Sequence, residues 1–138
     1  MAGLFFDAEG LVAGRLASIA AKQLLKGNKV TIVNASKAIV SGRPSHTFEI
    51  YSRKVKMGDP YHGPFFPRGP ERILRRTVKS MLPQSSRGRS AVLGLSVHSG
   101  TPKLYEGKKF EKPAAAEAGN ITKFATLSRV SKQIGGKG

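Results

Sequence analysis

The side chains with the most evident chemical potential are four cations spaced along one predicted helix, residues 71–82. They follow i, i+3, i+4, i+7 spacing and therefore share one helix face at about 100° per residue, while apolar side chains occupy the other face. The cations are Arg72, Arg75, Arg76 and Lys79, and the apolar residues are Leu74, Val78, Met81 and Leu82. Glu71 is the only acid of this helix, so the cations repel one another unless an anion neutralises them. The stripe indicates contact with a phosphate backbone, and a solvated surface face is the alternative.

A second basic group, residues 85–89, follows this helix directly. Its arginines, Arg87 and Arg89, flank Gly88. Small residues let a backbone approach a phosphate closely, while guanidinium groups bind the phosphate oxygens. The motif is weak by itself, but its position after the basic helix indicates the same partner.

Residues 58–70 contain too much proline and glycine for regular structure, so we predict an extended loop there. The loop interleaves aromatic and basic side chains: Tyr61, His62, Phe65, Phe66 and Arg68. Aromatic rings in such a loop either stack on unpaired bases or anchor the loop on the protein's own core. We favour the core for Phe65 and Phe66 and leave both roles open for Tyr61.

An enzymatic interpretation rests on the turn at residues 10–15, which lies between a predicted strand and a predicted helix, where phosphates bind well. The turn lacks both the G-x-G-x-x-G fingerprint and the Gly-Lys-[Ser/Thr] ending of a P-loop. Asp7 and Glu9 have no recognisable partner for acid–base catalysis, and capping or surface charge explains them better. A nucleotide-binding transferase is therefore the alternative, and Arg15 is predicted to contact RNA or solvent.

Metal and membrane sites are not expected. The chain has no cysteine, and His46, His62 and His98 are far apart, so we predict neither a metal site nor a cofactor. No segment approaches the roughly 18 consecutive apolar residues of a membrane span, and residues 1–12 do not resemble a secretion signal. We expect an intracellular protein without a membrane partner or a small-molecule substrate.

Charge is the dominant feature of the composition. There are 24 Lys and Arg residues against 8 Asp and Glu, which gives a net charge of +16. Such a surplus repels itself and is best explained by a polyanionic partner, whose released counterions help to drive binding. Nucleic acid is the first candidate and an anionic membrane surface the second. Membrane binding would need an exposed apolar helix face, which an α/β core uses for itself.

The hydrophobic pattern predicts an α/β layered fold in a single domain, residues 1–138. Residues 4–6 form an apolar strand, and residues 12–24 carry apolar side chains at helical spacing before Gly27 ends the helix. Residues 30–33 are a β-branched run without polar alternation, which is typical of a strand covered on both faces in a parallel sheet.

The rest of the chain contains shorter elements. Residues 38–40 begin either a strand or a helix, and the pattern does not decide between them. A short helix is predicted over residues 48–55, a half-buried strand over residues 93–97, and a last helix over residues 127–134 that a glycine pair ends.

The chain resembles the universal large-subunit ribosomal protein thirteen (L-thirteen) family in its archaeal form, from about residue 7 to residue 134. The motifs are Gly14-Arg-Leu-Ala-Ser18, Val30-Thr-Ile-Val-Asn-Ala35, Ser41-Gly42, and Arg75-Arg-Thr-Val-Lys-Ser-Met-Leu-Pro83 followed by Arg87-Gly-Arg89. The last is the most distinctive, and the charge pattern selects the same segment independently. A C-terminus without the long helical extension of eukaryotic relatives favours the archaeal form.

The resemblance implies a three-layer α/β/α sandwich with a mainly parallel central sheet, plus extended basic loops near residues 58–70 and 99–120. It also implies a structural constituent of the large subunit of the cytoplasmic ribosome, which binds large-subunit ribosomal RNA, meets neighbouring ribosomal proteins and supports assembly. It implies no reaction and no cofactor. We predict RNA contacts at these basic side chains: Arg15, Arg43, Arg53, Lys54, Arg68, Arg72, Arg75, Arg76, Lys79, Arg87 and Arg89.

Overall fold

The computed structural model describes residues 3–57, 61, 66–105, 107–119 and 121–136. In these residues the strands are β1 (Gly3–Asp7), β2 (Lys29–Val33), β3 (Ile39–Ser41), β4 (Leu95–Val97) and β5 (Phe124–Thr126). The α-helices are α1 (Ala13–Leu25), α2 (Pro44–Lys56), α3 (Pro70–Ser80), α4 (Ser86–Val92) and α5 (Leu127–Gln133). Short 3₁₀ helices lie at Ala35–Lys37, Lys103–Tyr105 and Ala114–Ala116.

The centre of the fold is a parallel sheet in the order β1-β2-β4. Leu4 pairs with Val30 and Val30 with Leu95, so β2 lies between the other two strands. Val30, Ile32 and Val33 of β2 are fully buried, as expected for a strand covered on both faces. The predicted α/β class with a parallel sheet is confirmed, and the arrangement is compatible with the expected sandwich.

Helix α1 contacts β2 through a stripe of small and aliphatic residues. Leu16, Ala20 and Leu24 recur at four-residue spacing and are buried in the core. The helix ends at Leu25, and Gly27 has φ +92°, a left-handed conformation that glycine adopts without a Cβ penalty. The predicted helix and its glycine stop are confirmed.

Helix α3 packs its apolar face on α1 and on the edge strand β4. Ile73, Leu74 and Val78 are fully buried in this contact. The predicted helix is confirmed, but the prediction that Met81 belongs to its buried face is wrong. The helix ends one residue before Met81, which is 44 % exposed.

A second, antiparallel sheet consists of β3 and β5, which pair from Ile39 with Thr126 to Ser41 with Phe124. The undecided residues 38–40 therefore lead into a strand. Helices α2 and α5 pack against each other and against β5, and both were predicted. Strand β5 was not predicted, because three residues are too few to show a period.

An aromatic cluster of Phe5, Tyr105 and Phe110 lies on the face of β1 that points away from the core. Phe5 points away from the core-facing residues of β1, because side chains alternate along a strand. Its ring centroid lies 5.5 Å from that of Tyr105 and 6.0 Å from that of Phe110, and Lys108 Nζ lies 5.2 Å from the ring centroid. These contacts attach the chain that follows β4 to the sheet.

The structure describes the two predicted extended loops to different extents. Most of the loop predicted over residues 58–70, including His62 and Phe65, lies outside the described residues. In the described residues 99–105 and 107–119 the chain forms two short 3₁₀ helices and isolated bridges to the sheet region. That this segment behaves as an extended basic loop stays a prediction.

Asn34 connects three segments beyond the carboxyl end of β2. It has φ +58°, a conformation that asparagine tolerates better than most residues. Its Nδ2 donates to Asp7 Oδ1 at 3.0 Å, and its Oδ1 accepts from Thr101 Oγ1 at 3.2 Å. Asp7 Oδ1 also accepts the backbone N–H of Glu9 at 3.0 Å. Asp7 is therefore a structural carboxylate, in agreement with its predicted capping role.

Strand β4 begins at Leu95, so the prediction that Leu93 belongs to it is wrong. Helix α4 extends to Val92, and Leu93 caps its C-terminus with 83 % of its surface exposed. Gly94 then turns the chain, and its carbonyl accepts the backbone N–H of Val30 at 3.0 Å. The apolar side chain at position 93 follows the period of a strand without being part of one.

Gly88 has a packing role, and its predicted role of admitting a phosphate stays a prediction. It is buried within α4, and a Cβ at this position would lie 1.8 Å from the carbonyl oxygen of Pro83. Glycine is therefore needed for α4 to dock on the turn that follows α3. The two flanking arginines are exposed.

We predict that Gly88→Ala lowers the free energy of unfolding by about 1–3 kcal/mol, the usual cost of overpacking. The matched control is Gly14→Ala in α1, where a Cβ meets no atom within 4 Å. That change should be neutral or stabilising by up to about 1 kcal/mol, because alanine is the better helix former. Urea unfolding of both variants measures the difference, and equal effects would contradict the packing role.

Candidate nucleic-acid interface

The outer face of α3 carries the predicted basic stripe. Arg72, Arg75, Arg76 and Lys79 are all exposed, opposite the buried face of the same helix. The helical spacing of the cations therefore places them as predicted. Their side chains nevertheless have different neighbours, which gives them different chemistry.

Phe66 lies between a cation of α2 and a cation of α3. Arg76 Cζ is 4.9 Å and Lys54 Nζ is 5.6 Å from its ring centroid. The ring of Tyr51 packs edge-on against it at 5.8 Å, and Phe66 is half-buried against the core. A cation over an aromatic face is attracted by the ring quadrupole and keeps its charge. The prediction that Phe66 packs on the core is confirmed, and its ring also positions two predicted RNA contacts.

Tyr51 and Tyr61 have different environments. Burial raises the pKa of the Tyr51 hydroxyl above its ordinary value, so the group stays neutral beside Lys54. Tyr61 is 89 % exposed and does not pack in the core. Of the two roles left open for Tyr61, anchoring on the core is therefore excluded.

A groove of about 620 Å³ lies between the C-terminal half of α3, the turn after it, and α4. Its cations are Arg76, Lys79 and Arg89. Uncharged polar and apolar side chains complete the lining: Ser80, Gln84, Leu82, Pro83 and Val92. Within the described residues none of the three cations pairs with a carboxylate. The groove therefore combines unneutralised positive charge with an apolar wall.

The guanidinium groups of three other predicted contacts donate hydrogen bonds to backbone carbonyl groups of the protein. Arg75 Nη1 donates to the carbonyl oxygen of Leu95 at 2.7 Å, and Arg87 Nη2 donates to that of Leu25 at 3.0 Å. Arg15 Nη1 donates to the carbonyl oxygen of Glu117 at 3.1 Å. These side chains fasten α3 to β4, α4 to α1, and α1 to the chain before β5. None of the three lines the groove, and contact with RNA stays a prediction for them.

Three further predicted contacts, Arg53, Arg43 and Arg68, do not line the groove either. Arg53 pairs with Glu49 at 3.2 Å in an exposed i, i+4 ion pair of α2. Arg43 caps the N-terminus of α2, where its carbonyl oxygen accepts from Thr47. Arg68 is exposed, and its carbonyl oxygen accepts a hydrogen bond from the buried Ser131 hydroxyl.

Sequence reasoning missed Ser80, Gln84 and Val92 as components of a site. Ser80 ends α3, Gln84 lies in the turn after it and Val92 ends α4, and none of the three carries a charge. Only the position of α4 across the groove from the end of α3 brings them to one surface. The glycine at position 88, which permits close packing on Pro83, is the sequence feature that points to this arrangement.

The described residues contain no group of three or more histidine, aspartate or glutamate side chains able to hold a metal ion. In the same residues no helix has the length and apolar character needed to cross a membrane. Glu9 lies 3.9 Å from Lys37 in an exposed ion pair. The fold and this surface define a small, strongly basic α/β protein whose prominent chemical feature is a cationic groove.

Comparison with known proteins identifies the family. The model of the family described as ribosomal protein L13 matches residues 2–104. The chain belongs to the ribosomal protein L13 family.

Archaeal relatives extend this similarity over nearly the whole chain. A protein of Archaeoglobus fulgidus is 44 % identical over 136 residues, covering 96 % of this chain and 87 % of the relative. One from Methanococcoides burtonii is 46 % identical over 134 residues, covering 95 % and 96 %, and one from Thermoplasma acidophilum is 37 % identical over 131 residues, covering 94 % and 96 %. All three are named large ribosomal subunit protein uL13. The predicted resemblance and its archaeal type are confirmed, and these relatives are ribosomal proteins and not enzymes.

We predict that Phe66 and Arg76 are energetically coupled by about 0.5–1 kcal/mol, the range for a cation–π pair near the surface. The variants are Phe66→Leu, Arg76→Met and their combination, which keep apolar volume while removing the ring or the charge. Urea unfolding of the four proteins gives the coupling energy.

In the control cycle, Arg72→Met takes the place of Arg76→Met. Arg72 lies one turn earlier on α3. Within the described residues Arg72 makes no contact with an aromatic ring, so Phe66→Leu and Arg72→Met should be additive within about 0.3–0.5 kcal/mol. Equal coupling in the two cycles would show that the ring does not position Arg76.

Proposed function

We propose that the chain is a structural constituent of the large subunit of the cytoplasmic ribosome, where it binds large-subunit ribosomal RNA and supports subunit assembly. The basic surface of α2, α3 and α4 makes the principal contact. Its central residues are Lys54, Arg76, Lys79 and Arg89. The protein contributes no reaction and uses no cofactor.

The observation that carries this proposal is the set of cations around the groove, which are exposed, close to one another in the fold and without carboxylate partners in the described residues. Holding like charges together costs free energy in the isolated protein. An RNA backbone offsets that cost, because each phosphate neutralises a cation and releases a counterion. Family membership supports ribosomal RNA as the polyanion in question.

Contacts with neighbouring ribosomal proteins are part of the proposal. Leu93 is 83 % exposed beside a second groove of about 380 Å³ between α1 and α4. A second groove with apolar lining and an exposed leucine is a feature of protein interfaces more than of RNA contacts. Arg87 lies in this groove and not in the cationic one.

The first test removes the three groove cations together, as Arg76→Ala, Lys79→Ala and Arg89→Ala. We expect affinity for large-subunit ribosomal RNA to fall by about 10- to 100-fold at moderate salt. The slope of log affinity against log salt should flatten by about 2 to 3, because each lost phosphate contact removes about 0.7–0.9. Filter binding of the purified full chain at several salt concentrations measures both.

The control variant removes the same amount of charge at exposed positions outside the predicted contacts: Lys26→Ala, Lys123→Ala and Lys132→Ala. It should keep most of the affinity and most of the slope. Equal losses in both triple variants would contradict a localised interface and indicate that only total charge matters.

The second test concerns membership of the subunit. In a sucrose gradient of native lysate, the protein should cosediment with the large subunit and stay there after a moderate-salt wash. The groove triple variant should be released by that wash more readily than the control variant, since its phosphate contacts are fewer. A protein found only in the light fractions would contradict the proposed function.

A further inference from the structure

We infer that the cationic groove binds one unpaired nucleotide of RNA, with its base inside the groove, and does not merely line a duplex backbone. This inference rests on the proposed function and makes it more specific. The observation behind it is that the same groove holds Arg76, Lys79 and Arg89 together with Leu82, Pro83 and Val92. A surface that only follows phosphates has no need of an apolar wall between its cations.

The dimensions of the groove suit a single nucleotide. Its volume of about 620 Å³ lies within the range of about 300–1,000 Å³ typical of sites for small ligands. A base within an RNA duplex is stacked and paired, so its faces are covered, and the deep, narrow major groove keeps side chains from its edges on that side. A bulged or looped base is free to leave the stack and enter a protein cleft. The occupant is therefore single-stranded at the point of contact.

The chemistry of the lining is complementary to the parts of a nucleotide. The guanidinium of Arg89 and the ammonium of Lys79 suit the phosphate, and Val92 and Pro83 offer apolar contact to a base. Gln84 both donates and accepts hydrogen bonds, so it suits the polar edge of a base.

Ser80 adds an acceptor to the same lining. Its hydroxyl donates to the carbonyl oxygen of Thr77 at 2.7 Å, which leaves its oxygen lone pairs to accept. An amino group of a base or a ribose 2′-hydroxyl is a suitable donor to that oxygen.

The groove is preformed in the free protein. Helix α4 docks on the turn after α3 through the close approach of Gly88 to Pro83, and Leu82 is buried beneath the groove. Arg76 is oriented by the ring of Phe66 at 4.9 Å. A preorganised site loses less conformational entropy on binding than a flexible basic tail does. The groove is therefore suited to recognising one nucleotide with a defined geometry.

The test uses the purified full chain and three synthetic RNA hairpins of one stem sequence. The first has a single bulged nucleotide, made with each of the four bases. The second has an abasic residue at the bulge and thus the same number of phosphates. The third has no bulge. We expect at least one base at the bulge to bind about fivefold to tenfold more tightly than the abasic hairpin. This is the weaker end of the range for a base stacked on an aromatic ring, because the groove offers aliphatic side chains instead.

The decisive variants are Val92→Ala and its neighbour Leu93→Ala. Val92 lines the cationic groove, whereas Leu93 lines the groove on the other side of α4. Val92→Ala removes apolar surface from the groove and leaves every cation in place, so it should reduce the preference for the base several-fold while abasic affinity changes less than twofold. Leu93→Ala should keep the preference. Gln84→Ala is a second, independent variant, because Gln84 is exposed and its loss should also reduce the preference several-fold.

The salt dependence of binding distinguishes a failure of this inference from a failure of the proposed function. The abasic and base-containing hairpins present equal phosphates, so their affinity ratio should be nearly constant while both affinities fall with salt. Equal, salt-dependent binding of all three hairpins would overturn the inference and leave the proposed function standing. The inference would also be overturned by a preference that is unchanged in both Val92→Ala and Gln84→Ala. Absence of binding to any hairpin and to large-subunit ribosomal RNA would overturn both.

Discussion

The packing of the apolar face of α3 against α1 and the edge strand β4 determines where this protein holds its cations. Ile73, Leu74 and Val78 are buried in that contact, so the opposite face of the helix must point to solvent. The same contact fixes the turn after α3, on which α4 docks through Gly88. The cationic groove forms only because α4 is held against the turn that follows α3. A loss of packing at α3 would therefore affect the interface as well as the core.

Long regular elements could be predicted from the sequence, whereas short ones were predicted in part or not at all. Helices α1 and α3 extend over several turns, so their periods are visible, and the β-branched run of β2 indicates a strand covered on both faces. Strand β5 has three residues and shows no period. Leu93 continues the alternation of β4 but belongs to the turn after α4, because the end of a helix depends on tertiary contacts that local pattern does not encode.

The candidate site could be predicted in composition but not in arrangement. Helical spacing alone places Arg75 and Arg76 on the outer face of α3, yet the two side chains do different things. Arg75 reaches the carbonyl of Leu95 on the neighbouring strand, whereas Arg76 lies over Phe66 beside the groove. These differences depend on residues far away in sequence. Composition therefore indicates that a chain binds a polyanion, and only the fold indicates which cations are available to it.

The choice of partner for an exposed cation also bears on function. A carboxylate, such as Glu49 beside Arg53, orients a guanidinium but cancels its charge and competes with phosphate. An aromatic ring, such as Phe66 beside Arg76 and Lys54, orients the cation and leaves its positive charge unneutralised. The ring can therefore hold two like charges near each other in the free protein without weakening their attraction to an anion. Of the two kinds of support, the aromatic one is suited to an interface that must be both positioned and strongly positive before its partner arrives.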